Sequence, residues 1–198
     1  DPRKKPMDIF ARYWKERGGK IQWIAEGHPD VDDWKTNLKQ SIDFGAAAVY
    51  IQGVKSDQFH QQGRLELLGK CVEFIKQQGV PAGIGAHKLE VVKEAEQQQY
   101  GAEFYVKTLH HDRYWSAHPV ENRTSFEVMG GCSPDHNKYH DNMFCAFPEK
   151  DVAFIERTKL PVMAFKVLAA GAIDPRDGFN WALQNGADGL GSAEALHG

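Results

Sequence analysis

Short apolar runs alternate with longer amphipathic stretches along the chain. Residues 7–17 carry apolar positions at helical spacing and stop at Gly18-Gly19. Residues 20–25 then read as a strand, with Glu26, Gly27 and His28 at its end. Residues 31–44 predict a helix closed by Gly45, and 46–51 a strand of small side chains closing at Gln52-Gly53. A long helix is expected over 59–78, a strand over 81–86 with His87 at its tip, and a helix over 89–100. Two more apolar strands follow, about 102–109 and 161–168. A helix over about 175–185 leads to Gly186-Ala187-Asp188-Gly189-Leu190-Gly191-Ser192, read as a last short strand and turn.

Strand and helix alternate through six units with no internal break, so the chain reads as one α/β domain over 1–198 with a parallel sheet. A closed (βα)8 barrel has eight units in about 250 residues. The expected fold is therefore TIM-barrel-like and incomplete, with two edges that a missing segment or a second copy of the chain would cover. An open doubly wound sheet is the alternative. The barrel is preferred because Glu26, His28, Gln52, His87, His110 and His111 recur at strand ends. That end is the catalytic face of a barrel, whereas an open sheet concentrates function at one switch point. Residues 111–150, after the first lysine-bearing strand, have no clear period and are expected to form an insertion folded over the barrel mouth as a lid. Within it, Trp115 could stack on a sugar ring or plug the mouth.

Two lysines break the apolar pattern: Lys107 within 104–109 and Lys166 within 163–168. A buried ammonium is costly unless paired or deprotonated. Either each lysine pairs with a carboxylate or escapes at a strand end, or the two amines face each other. In the second case their mutual repulsion and burial lower a pKa towards that of a nucleophile.

Composition narrows the function classes. A net charge of −3 argues against a nucleic-acid surface, and no apolar run is long enough for a membrane helix. Three cysteines with no CxxC spacing point to a reducing, cytoplasmic compartment. The first residue is Asp rather than Met, which leaves secretion after removal of a signal open.

The segments YWKERGGKIQWIAEGHP (13–29), VPAGIGAHKL (80–89), KTLHHDRYWS (107–116), HDNMFC (140–145) and AFKVLAAGAI (164–173) resemble a family of uncharacterised bacterial TIM-barrel proteins. Members of that family look like full barrels, with two strands preceding the point where this chain starts. The resemblance implies that the strands here are the third to the eighth, with Lys107 on the sixth and Lys166 on the seventh. That placement is similar to deoxyribose-phosphate aldolase and related class I aldolases, where the first lysine forms the Schiff base and the second tunes it. Residues 186–192 resemble a terminal phosphate-binding turn of such barrels. The His110-His111 pair and the long insertion are not part of the aldolase pattern.

The favoured expectation is an aldolase-like lyase acting on a carbonyl or sugar-like small molecule, with no cofactor required. Lys107 would form the iminium, Lys166 would depress its pKa, and His28, His87 or Glu26 would move protons. Gln52, Gly171, Gly191, Ser192 and Trp115 would hold the substrate or its anionic group. The alternative is an isomerase or hydrolase using Zn, Mn or Fe, with His87, His110, His111 and His140 as candidate ligands and Glu26 or Asp141 adding a carboxylate. A third reading, from another class, is a non-catalytic barrel used for binding or assembly.

Overall fold

The computed structural model describes residues 4–126 and 143–191. Six strands form one sheet in sequential order, all neighbours parallel. They are β1 (Ile24–Gly27), β2 (Ala48–Ile51), β3 (Ala82–Ala86), β4 (Phe104–Thr108), β5 (Val162–Phe165) and β6 (Gly189–Gly191). The helices are α1 (Lys4–Arg17), α2 (Thr36–Asp43), α3 (Gly53–Gln61), α4 (Glu66–Gln77), α5 (Leu89–Gln97), α6 (Pro148–Ile155) and α7 (Pro175–Gln184). The sheet curls into a half-barrel of TIM-barrel type, with β1 and β6 as its two edges.

The strand register separates the two faces. Ala25, Val49, Ile51, Ala82, Ile84, Tyr105, Val162 and Ala164 belong to the main core, together with helix residues such as Leu38, Leu68, Ile75, Val92 and Phe154. Burying each such large apolar side chain contributes roughly 1.5–3 kcal/mol. The opposite, concave face carries Ala48, Tyr50, Phe104, Val106, Met163 and Phe165. On that face β3 offers only Gly83 and Gly85. A Cβ on Gly83 would lie 2.4 Å from the Phe104 ring, and one on Gly85 would lie 2.6 Å from the Ile51 carbonyl oxygen. Missing side chains on the middle strand thus let Phe104 and Tyr50 lie across it.

Helix boundaries differ from the sequence reading in three places. The long helix expected over 59–78 is two helices, α3 and α4, because Gly63 takes φ +65° between them. The helix expected over 31–44 begins only at Thr36, where Asp33 Oδ1 accepts the Thr36 N–H (3.1 Å). Helix α6 was not expected. Pro148 opens it, and Glu149 and Asp151 sit in its first turn, where negative charge suits the helix dipole. The second lysine strand ends at Phe165, and Lys166 adopts φ +57°. Among the described residues Cys71 and Cys145 are buried free thiols, and no helix is long and apolar enough to cross a membrane. Phe10, Trp14, Trp23 and Phe44 pack together, joining α1 to the rest of the domain.

Candidate active site at the strand ends

Because every strand is parallel, the residues that follow β1, β2 and β3 emerge at one end of the sheet. Glu26 accepts hydrogen bonds from the Tyr50 hydroxyl (2.8 Å) and the Gln52 amide (3.3 Å), and His28 Nε2 stands 3.0 Å from its Oε1. Partial burial pushes the Glu26 carboxyl up, but the bonds from His28, Tyr50 and Gln52 outweigh it and hold the pKa below the usual value. The structure therefore brings Glu26, His28 and Gln52 together, as their strand-end positions implied, and adds Tyr50. Burial and the Glu26 charge drive the Tyr50 phenol upward, so it stays a donor.

His87, next along the rim, is almost fully buried. Its Nδ1 is 2.7 Å from Asp57 Oδ2, and that oxygen also accepts the His87 N–H (3.1 Å). Asp57 Oδ1 accepts the Lys88 N–H (3.0 Å). A carboxylate whose oxygens all accept fixes the proton on Nδ1 and leaves a lone pair on Nε2. Burial lowers the His87 pKa, Asp57 opposes it, and the Lys166 and Lys107 charges lower it again. With its pKa held below the ordinary histidine value, the imidazole is neutral at pH 7. Its ring stacks on Phe126 (centroids 4.3 Å apart) and meets Phe165 and Phe144 edgewise or tilted. Gly53 makes room for it, since a Cβ there would be 3.2 Å from the ring.

The two lysines go to different surroundings. Lys107 pairs in register with Ala86 and Ala164, so it lies on the helix-covered face with Tyr105. Its ammonium donates to the Thr108 carbonyl (3.1 Å) and hydroxyl (2.9 Å) and sits 3.1 Å from Asp151 Oδ1 on α6. The pair is essentially sealed, at 1% and 5% side-chain exposure. Of the two outcomes a strand lysine allows, Lys107 takes the carboxylate partner. Lys166 follows β5, and its left-handed backbone ends the period-two alternation there. Its Nζ lies 3.5 Å from the centroid of the Phe144 ring, the same ring that approaches His87.

His110 and His111 have their ring nitrogens committed. His110 Nδ1 bonds the His111 carbonyl (2.9 Å), while Nε2 accepts the Cys145 N–H (3.0 Å). Burial brings its pKa down to about 4, so it is neutral. His111 Nε2 bonds Asp177 (2.9 Å) and Nδ1 accepts the Arg113 N–H (3.1 Å). Of the expected His87, His110, His111 and His140 ligand set, His110 and His111 thus have both ring nitrogens engaged by other groups. No cluster of three or more ligating side chains occurs among the described residues. His140, Asp141 and Ser192 lie outside them. Trp115 is 90% exposed rather than plugging the mouth. Gly171 sits at φ +88° in the turn after β5, and Gly191 lies on β6 opposite Phe165.

Both described flanks of the 111–150 segment are anchored. Arg123 donates to the His118 and Ala146 carbonyls (2.7 and 3.1 Å) and to Asp112 (2.8 Å). The Thr108 hydroxyl donates to the Phe144 carbonyl (3.0 Å), and Cys145 Sγ bonds Asp151 Oδ2 (3.1 Å). Burial and the Asp151 charge raise the Cys145 pKa, so it is an inert thiol rather than a nucleophile. Asp57, Tyr50, Asp151 and Arg123 are the site residues that sequence reasoning missed.

The strand-end cluster on a curled parallel sheet defines an α/β half-barrel of TIM-barrel type with its polar residues at the C-terminal strand ends. Among solved structures, the chain is similar to FabK (M276A) mutant from Thermotoga maritima, with a TM-score of 0.51 and 13% identity over 94% of this chain. The chain spans about half of that protein, 49% of its length. At that identity the likeness concerns the fold. No protein-family model matches the chain, and no curated protein matches it either.

Proposed function

We propose that the chain carries the catalytic face of a small-molecule enzyme that moves a proton next to a carbonyl group, with His87 as the base. The observation that supports this reading is the Asp57–His87 pair. A buried carboxylate fixes the tautomer, burial keeps the ring neutral, and Nε2 keeps its lone pair. Such a base typically contributes about 10²–10⁴-fold to rate. Glu26, with Tyr50 and Gln52, is half-open to solvent and is assigned to binding substrate hydroxyls.

The finer form of the reading is aldolase-like. The neutral amine of a lysine adds to the substrate carbonyl carbon, water leaves, and an iminium forms; a base then takes the proton from the adjacent carbon. In this form Lys166, beside the Phe144 ring that His87 also meets, is a better placed amine than Lys107, whose ammonium is sealed against Asp151. The test is turnover of a panel of small aldehydes and ketoses, with borohydride trapping and mass spectrometry. His87→Gln should lower kcat by at least 100-fold, the low end of the usual range for a general base. Lys166→Met should abolish the trapped adduct. Unchanged turnover in His87→Gln would overturn the base assignment. Turnover without any adduct would overturn the Schiff-base form.

A further inference from the structure

His87 Nε2 and Asp151 Oδ1 share an unusual condition. Both are buried, and among the described residues neither has a hydrogen-bond partner. Asp151 Oδ1 does lie 3.1 Å from Lys107 Nζ as an ion pair, while two of the ammonium's three hydrogens go to the Thr108 carbonyl and hydroxyl. The two residues line one small cavity of about 20 Å³, walled also by the polar residues Lys88, Glu90 and Ser125 and by Phe126, Phe144 and Ala146. A cavity needs about 10–15 Å³ to hold a water molecule, so this one has room for a single water.

The chemistry of the two atoms selects the occupant. His87 Nε2 is an acceptor, because Nδ1 carries the proton towards Asp57. Asp151 Oδ1 is an acceptor, because its carboxylate takes the Cys145 thiol hydrogen on Oδ2 and faces the Lys107 charge. Two acceptors cannot satisfy each other. A buried acceptor without a donor loses its hydrogen bonds to water uncompensated, so His87 Nε2 favours a donor, and Asp151 Oδ1 favours one beside its ion pair with Lys107. A molecule with two donors and the size of one oxygen satisfies both.

We propose that this cavity binds one water molecule, which donates one hydrogen to His87 Nε2 and the other to Asp151 Oδ1. The sequence Asp57–His87–water–Asp151–Lys107 then forms a continuous polar chain from α3 to α6. Resting on the reading of His87 as the base, the water also sets how that base works. It receives the substrate's proton on its oxygen while passing one of its own to Nε2, so the proton reaches His87 and the water is regenerated. Asp151 is then a positioning residue, acting through the water.

Two measurements on the whole protein test the site without any need for substrate. A high-resolution crystal structure should show one ordered oxygen within hydrogen-bond distance of both atoms. Nitrogen-15 spectra should show His87 protonated on Nδ1, with Nε2 displaced to lower chemical shift by an accepted hydrogen bond. Ala146→Val, which narrows the cavity, should expel the water, move the Nε2 resonance to its unbonded position and lower Tm. An empty cavity in the crystal, an Nε2-protonated tautomer, or a Tm raised by Ala146→Val with the His87 spectrum unchanged would each overturn the proposal, the last because it marks a dry cavity being filled. Loss of the base assignment would appear instead as full turnover in His87→Gln with the water still present.

Discussion

Replacing Lys107 by Met separates a structural lysine from a nucleophilic one. The substitution keeps an unbranched side chain of similar length and removes the charge. Asp151 is only 4% exposed, so its carboxylate would be left buried with the Cys145 thiol as its remaining described hydrogen-bond donor. Breaking a buried pair from one side costs about 3–5 kcal/mol, because the surviving charge is uncompensated. For a domain of this size, each kcal/mol moves Tm by roughly 2–4 °C, so Lys107→Met should melt about 6–20 °C lower. The partner change restores the balance: in Lys107→Met/Asp151→Leu neither charge remains, and most of the loss should be recovered, since apolar replacement of a buried pair is often neutral. Urea unfolding of the two single variants and the double variant closes the cycle and yields the coupling directly. A Lys107→Met protein with unchanged stability but no trapped adduct would refute this reasoning and return Lys107 to the role of nucleophile.

Two further outcomes test the packing around the site. Gly85→Ala places a Cβ 2.6 Å from the Ile51 carbonyl and 3.0 Å from the Gly53 amide, both backbone, so it should destabilise by about 1–3 kcal/mol in denaturant unfolding and shift Tyr50. His110, held neutral with a pKa of about 4, binds no proton while the unfolded chain's histidine does; stability should therefore fall between pH 6.5 and pH 4, by about 3 kcal/mol from this group, then level off. His87, shifted in the same direction, steepens that fall. A stability profile that is flat across this window would contradict the assigned neutral state.

The fold was readable because its two periods are clean. Glycines at 45, 79, 101 and 186, all with positive φ, punctuate the helices where the pattern placed them. The strand-end residues Glu26, Gln52 and His87 were found by the same logic, since the end of a parallel strand is fixed once the strand is. Their partners were not. Asp57 sits in α3 among polar neighbours, and nothing in its spacing marks it as fully buried; only the approach of β3 to α3 makes it the anchor of His87. Asp151 lies just past the 111–150 segment, in a stretch that the sequence pattern assigns to no element, because α6 is only eight residues long, too short for its period to show.

Lys107 shows why an apolar run does not reveal direction. In a parallel sheet both faces are covered, so a strand reads as continuously apolar and the sequence cannot say which side a given residue serves. Register decides it. Lys107 lies beside Ala86, one residue before His87, and beside Ala164, which belongs to the core under the helices. Thr108, one position later, pairs with Phe165 and so turns to the concave side. The same one-residue step sets His87 off from Ala86. It places a neutral imidazole over Phe165 and its backbone carbonyl within reach of the Thr108 hydroxyl (3.4 Å). The charge that looked most anomalous in the sequence thus helps hold α6 against β4. With the Thr108 hydroxyl, it fixes the 143–147 strap whose Phe144 ring lies between His87 and Lys166. On this geometry Lys107 bears on the mouth through the position of Phe144, and under the proposed function that is how it acts, rather than through its own amine.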